Sequence, residues 1–198
     1  MLNIVIFGAP GSGKGTQSKL IAKKHGLEHI STGYILRAEI AQNTELGKIA
    51  DKYISKGQLV PDDLIIEMLE RILDSKKELK GIIFDGFPRT IRQGEALHEI
   101  LNKKGEKIHA VLNLDVEEDE LVNRLLERGK VSGRSDDNLE TIQSRLQVYH
   151  NQTAPLKSFY EEKGNLHDIK GTGSTGEIHE RINKTIDEVK YDVELLSC

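Results

Sequence analysis

An apolar run that leads directly into a glycine-rich turn constrains this chain more than any other feature. Residues 4–17 read IVIFGAPGSGKGTQ, and the apolar start of this stretch predicts a buried strand. Gly8, Gly11 and Gly13 lack a Cβ, so the backbone can take positive φ values and direct successive N–H groups at an anion. A helix that begins here has unpaired N–H groups and a positive dipole end, and Lys14 adds a full charge. The stretch therefore predicts a strand, a phosphate-binding turn and a helix.

This turn follows the general pattern G-x-x-x-x-G-K-[ST] except at its last position. Gly8, Gly13 and Lys14 match the pattern, but Gly15 stands where a hydroxyl is usual, and the hydroxyl comes one residue later at Thr16. We expect the N–H groups of residues 13–16 to favour a di- or triphosphate. An ordinary glycine-rich turn is the alternative reading, and the lysine and the preceding strand, all in register, argue against it.

Length and charge exclude several classes of protein. The 198 residues suit one main domain, and 28 basic against 32 acidic side chains give a net charge of -4. Such a balance gives no reason to expect binding to nucleic acid or to anionic membranes. The single cysteine, Cys198, excludes an intrachain disulfide, and no apolar run approaches the roughly 18 residues that span a bilayer. We expect a soluble cytoplasmic protein and, without a long exposed apolar stripe, a monomer.

Five apolar stretches alternate with amphipathic helices along the chain. The predicted strands cover residues 4–7, 27–30, 81–85, 108–116 and 166–169. Strands that alternate with helices form a parallel sheet covered on both faces, and ligands bind at the carboxyl ends of such strands. The predicted fold class is therefore α/β, a three-layer α/β/α arrangement around a five-stranded parallel sheet.

Two stretches contribute little to the predicted core. Residues 34–56 read as two short, charged helices, which suits a mobile flap over a site. Residues 129–137, GKVSGRSDD, contain one large apolar side chain and are predicted to be an exposed loop. Capping boxes are predicted at two later helix starts, one formed by Asp137 with Glu140 and one by Ser174 with Glu177.

A carboxylate stands at the end of the third predicted strand. Asp85 follows the buried run GIIF and resembles the aspartate that holds Mg²⁺ through water in phosphate-loop proteins. A helix-capping or turn aspartate is the alternative reading. The position at the same sheet edge as the glycine-rich turn favours the metal.

Six arginines occupy positions that packing does not require. They are Arg37, Arg89, Arg124, Arg128, Arg134 and Arg145. For any one of them a solvated surface charge is the default interpretation, but all except Arg37 follow the third or fourth strand, whose loops converge on the turn. Guanidinium groups pair with phosphate oxygens at two points, so this cluster predicts a second anion beside the first.

The histidines give no candidate for a general base. None of the seven falls in the glycine-rich turn, at a predicted strand end or in an arginine-rich motif. A phosphate acceptor is already anionic and needs no deprotonation, whereas an alcohol acceptor would require a base. The pattern therefore favours transfer of a phosphoryl group to a phosphate, by positioning and electrostatics.

Four motifs together resemble the nucleoside monophosphate kinases. They are GAPGSGKGTQ from Gly8, STG from Ser31, DGFPRT from Asp85 with Gln93 after it, and RGKVSGRSDD from Arg128. The likeness covers almost the whole chain in the same order. It implies a single domain over residues 1–198, with a helical nucleotide flap inserted at residues 31–60 and a short lid at residues 128–137. It also implies Mg²⁺-dependent, reversible transfer between ATP and AMP to give two ADP.

The resemblance assigns residues to two nucleotide sites. The implied ATP site comprises Gly11, Ser12, Gly13, Lys14, Gly15, Thr16, Arg128 and Gly173. The implied AMP site comprises Thr32, Arg37, Gln58, Leu59, Val60, Gly86, Phe87, Pro88, Arg89, Gln93, Arg134 and Arg145. Among these, Lys14, Arg89, Arg128, Arg134 and Arg145 are the implied catalytic residues; Arg124 resembles the clamping arginines less closely. Relatives with a longer lid often carry a zinc-binding cysteine cluster, and this chain has no such cysteines, so we expect no zinc.

Two other functions stay open at this point. The UMP/CMP kinase branch shares the turn, the short lid and SGRSDD, but typically has other residues where this chain has Thr32, Thr90 and Gln93. Gln93 can donate to and accept from an adenine edge, which favours AMP. A nucleotide-gated switch of the GTPase type is the second alternative; the chain lacks an NKxD-type guanine reader, and a switch has no use for a second arginine-lined site.

Overall fold

The predicted strands all form, and they make one sheet between helices. The structure, a computed structural model, describes residues 1–76, 79–132, 134 and 136–195. Within these ranges the strands are β1 (Leu2–Phe7), β2 (Glu28–Ser31), β3 (Gly81–Asp85), β4 (Ala110–Asp115) and β5 (Leu166–Lys170). The helices are α1 (Lys14–His25), α2 (Thr32–Ala41), α3 (Glu45–Ile54), α4 (Asp62–Ser75), α5 (Ile91–Lys103), α6 (Glu118–Ser132), α7 (Leu139–Val148), α8 (Leu156–Glu162) and α9 (Thr175–Leu195), with a π-helical turn at Tyr149–Thr153.

The sheet is parallel, in the order β2-β3-β1-β4-β5. Strand β1 lies at its centre, where Leu2 pairs with Gly81 of β3 and Ile4 with Ala110 of β4. The glycine-rich turn therefore emerges from the middle of the carboxyl edge, between the ends of the two neighbouring strands. The predicted α/β class and five-stranded parallel sheet are confirmed.

The side chains of β1 alternate between the two faces of the sheet, and those on each face are buried under helices. Ile4 and Ile6 are buried in a cluster with residues of α1 and α9, whereas Val5 and Phe7 are buried in a cluster with residues of α2 to α5 and α8. Successive side chains of a strand point to opposite faces, so one apolar strand supplies both cores. A continuous apolar run of this kind is typical of a parallel sheet with two covered faces.

The two short helices predicted after β2 are confirmed as α2 and α3. Thr44 caps α3 by accepting a hydrogen bond from Gly47 N at 3.0 Å. Leu36 of α2 and Ala50 of α3 are buried against the larger core cluster. Partly buried apolar side chains of both helices pack against the same cluster, so this helical pair shares the core on one face of the sheet.

The prediction of an exposed loop from Gly129 is wrong at its start, because α6 continues to Ser132. One glycine costs a helix only about 1 kcal/mol. A Cβ on Gly129 would lie 2.7 Å from the carbonyl oxygen of Asp137, so glycine is required there by close packing and not as a helix stop. Residues 133 and 135 of the predicted lid lie outside the described residues, as do 196–198 at the C-terminus.

One of the two predicted capping boxes forms and the other does not. Ser174 N donates to Glu177 Oε2 at 2.7 Å, and Glu177 N donates back to Ser174 Oγ at 3.3 Å, as predicted. Helix α7, however, is capped by Asn138, whose Oδ1 accepts from Thr141 N at 3.0 Å. Asp137 is not the cap because two arginines engage its carboxylate, and charge-assisted pairs are stronger than a neutral cap.

Among the residues that the structure describes, no helix has both the length and the apolar character needed to cross a membrane.

Candidate active site

The glycine-rich turn forms an anion cradle at the end of β1. Gly8 has φ 142° and Gly13, the N-cap of α1, has φ 94°. A Cβ on Gly8 would lie 2.6 Å from the carbonyl oxygen of Leu114, so no other residue fits between the turn and β4. Gly13 carries no side chain that could accept from the first-turn N–H groups of α1. The N–H of Thr16 donates to the carbonyl oxygen of Gly13 at 3.1 Å, so the N–H groups of Lys14 and Gly15 are the ones that suit an anion.

Lys14 lies folded over this cradle. Its Nζ donates to the carbonyl oxygens of Gly8 at 2.7 Å and Ala9 at 2.9 Å. Burial lowers the pKa of Lys14 to about 7; the charge of Asp85 opposes this shift, and neighbouring arginines add to it. A lysine with such a pKa gains its full charge readily when an anion arrives.

Asp85 stands beside the cradle, at the carboxyl end of β3. A Cβ on Gly15 would lie 3.6 Å from Asp85 Oδ2, so the carboxylate faces the first turn of α1. Burial alone would raise the pKa of Asp85, but hydrogen bonds from His29 and Ser31 and the charge of Lys14 hold that pKa below its ordinary value. Asp85 is therefore a carboxylate at neutral pH, with the charge that a divalent cation requires.

A histidine that the sequence did not single out also lies here. The Nε2 atom of His29, on β2, is 3.4 Å from Asp85 Oδ2. His29 is the second residue of β2, before its carboxyl end, so the sequence prediction about strand-end motifs did not cover it. The pairing of Ser31 with Asp85 in the parallel register brings His29 to the same side of the sheet. Sequence gave no signal for this contact because it depends on which strands are neighbours.

A second pocket lies between the cradle and the helical pair α2–α3. Its empty space, including the part open to solvent, is about 590 Å³, and most of the residues assigned to an AMP site line it. They are Thr32, Arg37, Gln58, Leu59, Val60, Gly86, Arg89, Gln93 and Arg145. Its wall also includes apolar side chains such as Leu36 and Ile65. The pocket thus has an apolar wall that suits a base and a charged end that suits a phosphate.

This pocket adjoins the cradle through shared walls. A neighbouring cavity is lined by Gly8 and Lys14 on one side and by Pro88 on the other. Arg89 and Arg145 line both cavities. Two anions held in these two places would therefore meet the same two guanidinium groups.

The arginines depress one another's pKa. Burial is the first cause of the lowered pKa of Arg37, about 10, and the charge of Arg134 is the next. For Arg89, burial and then the charge of Arg145 lower the pKa. Burial, followed by the charge of Arg128, does the same for Arg134. Cations that repel one another in a partly buried space form a site for an anion of high charge.

Two of these arginines are joined by one buried carboxylate. Arg128 donates from Nε and Nη2 to the two oxygens of Asp137, each at 2.7 Å. Arg145 Nη1 donates to the same Asp137 Oδ1 at 2.7 Å and approaches Asp136 Oδ2 at 3.0 Å. The end of α6 and the start of α7 are thereby tied together next to the second pocket.

Arg89 is held by its main chain as well as by its side chain. Its Nε donates to the carbonyl oxygen of Gly86 at 2.8 Å, and its own carbonyl oxygen accepts from Thr153 Oγ1 at 2.8 Å. Thr153 ends the π-helical turn, an irregularity that frequently marks a functional site. Sequence reasoning did not identify Thr153.

The remaining predicted residues lie at the edges of this arrangement. Ser12 is buried within the cradle, and Phe87 is buried in the core cluster beneath the second pocket. Gly173 lies in the loop before α9 with a φ of 109°. Arg124 donates to the carbonyl oxygen of Gly171 in the same loop at 3.1 Å and is not among the residues that line the second pocket.

A phosphate cradle that shares two arginines with a nucleotide-sized pocket defines a nucleoside monophosphate kinase. Comparison with known sequences identifies the family more closely. The family profile described as adenylate kinase matches residues 6–165. An adenylate kinase of Parabacteroides distasonis is 64% identical over 190 residues, which is 96% of this chain and 100% of the relative. An adenylate kinase of Bacteroides fragilis is 57% identical over 187 residues, 94% of this chain and 99% of the relative. The chain belongs to the adenylate kinase family.

Proposed function

We propose that this chain transfers the terminal phosphoryl group of ATP to AMP, reversibly and with Mg²⁺, to give two ADP. The observation that carries the proposal is the pair of adjoining cavities with Arg89 and Arg145 in both walls. Relatives with more than half of their residues identical are named adenylate kinase, which supports the same donor and acceptor. In a cell, such a reaction balances the adenine nucleotides.

The cradle is the proposed ATP site. Main-chain N–H groups of residues 11–16 hold the phosphates, and Lys14 moves from the carbonyl oxygens of Gly8 and Ala9 to the phosphoryl group that is transferred. Arg128 contacts the same phosphates, and Gly173 lies near the adenine. These assignments place the bound triphosphate with its terminal group toward the second pocket.

Asp85 fits the proposed Mg²⁺. Within the described ranges, no three or more His, Cys, Asp or Glu side chains gather in a way that could hold a metal by themselves. Mg²⁺ in phosphoryl-transfer sites is held mainly by substrate phosphates and water, so one nearby carboxylate is sufficient. The bound metal would neutralise charge on the transferring group. Asp85 would hold the ion through water, and His29, whose Nε2 lies 3.4 Å from Asp85 Oδ2, would hold the carboxylate in place.

The arginines complete the proposed chemistry. Charge on the transferring phosphoryl group is spread over its oxygens, and fixed guanidinium groups stabilise it without having to reorganise. Arg89 and Arg145 reach both cavities and are placed to bridge donor and acceptor. Arg37 and Arg134 add charge on the acceptor side. The acceptor is an anion, so the proposal requires no general base.

Two segments are proposed to close over the substrates, the flap of residues 31–60 and the lid of residues 128–137. The flap contains α2 and α3, which form the outer wall of the AMP pocket. The lid contains the end of α6, Arg134 and Asp137. Closure excludes water, which would otherwise take the phosphoryl group from ATP. We further propose that the protein acts as a cytoplasmic monomer.

An assay with several acceptors tests this function. Purified protein with Mg²⁺ and ATP is given AMP, CMP or UMP at equal concentration, and the diphosphates formed are separated and counted. We expect fast, AMP-dependent formation of two ADP for each ATP consumed, with little hydrolysis when AMP is omitted. Faster phosphorylation of CMP or UMP, or ATP loss that does not depend on an acceptor, would overturn the proposal.

A further inference from the structure

The side-chain amide of Gln93 is held at both ends by the protein. Gln93 is 2% exposed and lines the proposed AMP pocket. Its Oε1 accepts from the main-chain N–H of Arg89 at 2.7 Å. Its Nε2 donates to Oδ1 of Asp62, which is the first residue of α4, at 2.7 Å. One contact lies within the loop that leads into α5, and the other comes from a separate helix.

These two partners allow only one orientation of the amide. A main-chain N–H can only donate and an ionised carboxylate can only accept. If the amide turned over, its NH₂ would face the Arg89 N–H and its oxygen would face the Asp62 carboxylate. Both contacts would then be lost in a buried site, where unpaired polar groups are costly. The orientation of Gln93 is thus determined by the network, with Asp62 as one of its two anchors.

Asp62 is itself fixed. Its second oxygen, Oδ2, accepts from Thr90 Oγ1 at 2.8 Å, and Thr90 Oγ1 in turn accepts from Gln93 N at 3.2 Å as the N-cap of α5. The carboxylate therefore bridges the cap of α5 and the amide one turn further along. Thr90 and Gln93, which distinguish this chain from the UMP/CMP branch, belong to this one network.

An amide with a fixed orientation presents its hydrogen-bond donor and acceptor to a bound base in one order only. The amide has two N–H donors and two acceptor positions on oxygen. The part of the protein that the structure describes uses one of each, so one donor and one acceptor remain for a base. Adenine presents an amino donor next to a ring-nitrogen acceptor and can pair with both. Hypoxanthine has the same size and shape, but presents a carbonyl acceptor next to a ring N–H donor, and so would require the turned amide.

We infer that Asp62 is a specificity-determining residue: by fixing the Gln93 amide it makes the acceptor pocket select 6-amino over 6-oxo purine nucleotides. Asp62 acts through Gln93 and is a positioning residue. This inference rests on the proposed function, because it takes the second pocket as the AMP site. Cytosine presents its donor and acceptor in the same order as adenine, so the orientation that Asp62 gives to Gln93 does not exclude CMP. CMP would have to be excluded by the size and shape of the pocket.

The test compares AMP with IMP as acceptors for Asp62→Asn. Asparagine keeps the shape of Asp62 but can either donate or accept, so the turned amide regains a partner at that end. We expect the ratio of kcat/KM for AMP to that for IMP to fall about tenfold or more, mainly through better use of IMP. The ratio for AMP to CMP should change by less than about twofold, because that comparison does not depend on the amide orientation.

Two further variants complete the experiment. Asp63→Asn removes the same charge one residue away, where the side chain is exposed and pairs with Arg92, and should leave the AMP to IMP ratio unchanged. Asp62→Ala removes the anchor altogether and should also lower the ratio, which covers a failure of Asp62→Asn to fold. Equal losses for AMP and IMP would show a structural role only and overturn the inference.

ADP formation by the parent protein distinguishes a failure of this inference from a failure of the proposed function. If it forms ADP from ATP and AMP, and Asp62→Asn leaves the AMP to IMP ratio within about twofold of the parent, the inference fails while the kinase function stands. If the parent forms no ADP from ATP and AMP, the proposed function itself fails, and the inference fails with it.

Discussion

Replacement of Arg89 is expected to lower turnover with little loss of stability. Methionine in place of Arg89 keeps a long unbranched side chain and removes the charge. The variant loses one side-chain hydrogen bond, from Nε to the carbonyl oxygen of Gly86 at 2.8 Å, which is worth about 1 kcal/mol. The main-chain contacts of Arg89 with Gln93 and Thr153 do not depend on its side chain.

The lost bond is offset by relief of an unfavourable charge. Burial and then the charge of Arg145 lower the pKa of Arg89, which means that the folded protein holds this guanidinium at a cost. We therefore expect the free energy of unfolding of Arg89→Met to stay within about 1 kcal/mol of the parent. Turnover should fall by about 10² to 10⁵, because loss of one fixed donor costs about 10² to 10³ and loss of an arginine at a transferring phosphoryl group about 10³ to 10⁵.

Arg89→Lys refines the same prediction. Lysine keeps the charge but loses the planar fork that pairs with two phosphate oxygens, so its turnover should lie between those of the parent and Arg89→Met. Arg92→Met is the matched control, because Arg92 is exposed, pairs with Asp63 and lies three residues further along. Its turnover should equal that of the parent.

The measurements are initial rates of ADP formation at saturating ATP and AMP, and urea unfolding of each variant. A folded Arg89→Met with turnover within about threefold of the parent would refute the electrostatic role. A loss of more than about 3 kcal/mol of stability would show instead that Arg89 acts mainly through packing.

Three further results are expected. Burial lowers the pKa of Lys14 to about 7, so ATP binding near pH 8 should take up about one proton per chain, and the affinity for ATP should fall as the pH rises. Calorimetry in buffers of different ionisation enthalpy measures the proton uptake, and binding without uptake would contradict the prediction. Asp85→Asn should shift the Mg²⁺ dependence of turnover about tenfold upward, and an unchanged dependence would remove Asp85 from the metal site. A Cβ on Gly47 would lie 2.1 Å from the carbonyl oxygen of Glu39, so Gly47→Ala should cost about 1–3 kcal/mol in urea unfolding, whereas the control Gly176→Ala, whose Cβ meets nothing closer than 4.0 Å, should cost none.

The elements of the sheet could be predicted because their signals are local. Strand β3 begins at Gly81 and ends at Asp85 as its apolar run indicates, and the break between α2 and α3 follows from turn-forming residues. The capping box of Ser174 and Glu177 forms because both partners lie in one exposed turn, where nothing else competes for them. In each case the residues that decide the structure are neighbours in sequence.

The errors arose where a distant partner changed a local preference. Asp137 looked like a helix cap, but Arg128 and Arg145 engage its carboxylate, and Asn138 takes the cap. Gly129 looked like the start of a loop, but it lies within α6. Such contacts become visible only when the packing of α6 against α7 is known.

The same reason accounts for the parts of the site that the sequence did not reveal. His29 meets Asp85 because β2 and β3 are neighbours in the sheet, and Asp62 meets Gln93 because α4 packs beside α5. Neither pair has a recognisable spacing along the chain. The arginines could be predicted because all except Arg37 follow the third or fourth strand, and the α/β pattern, which is local, indicates that the loops after those strands converge.

The central place of β1 has a consequence for synthesis of the protein. This strand is translated before its hydrogen-bonding partners, which begin at Gly81 and Ala110. Long-range pairing of this kind is slow to form. The nucleotide-holding segment is thus made well before the strands that hold it in place, and we expect unfinished chains that lack those strands to be unable to bind or hydrolyse ATP.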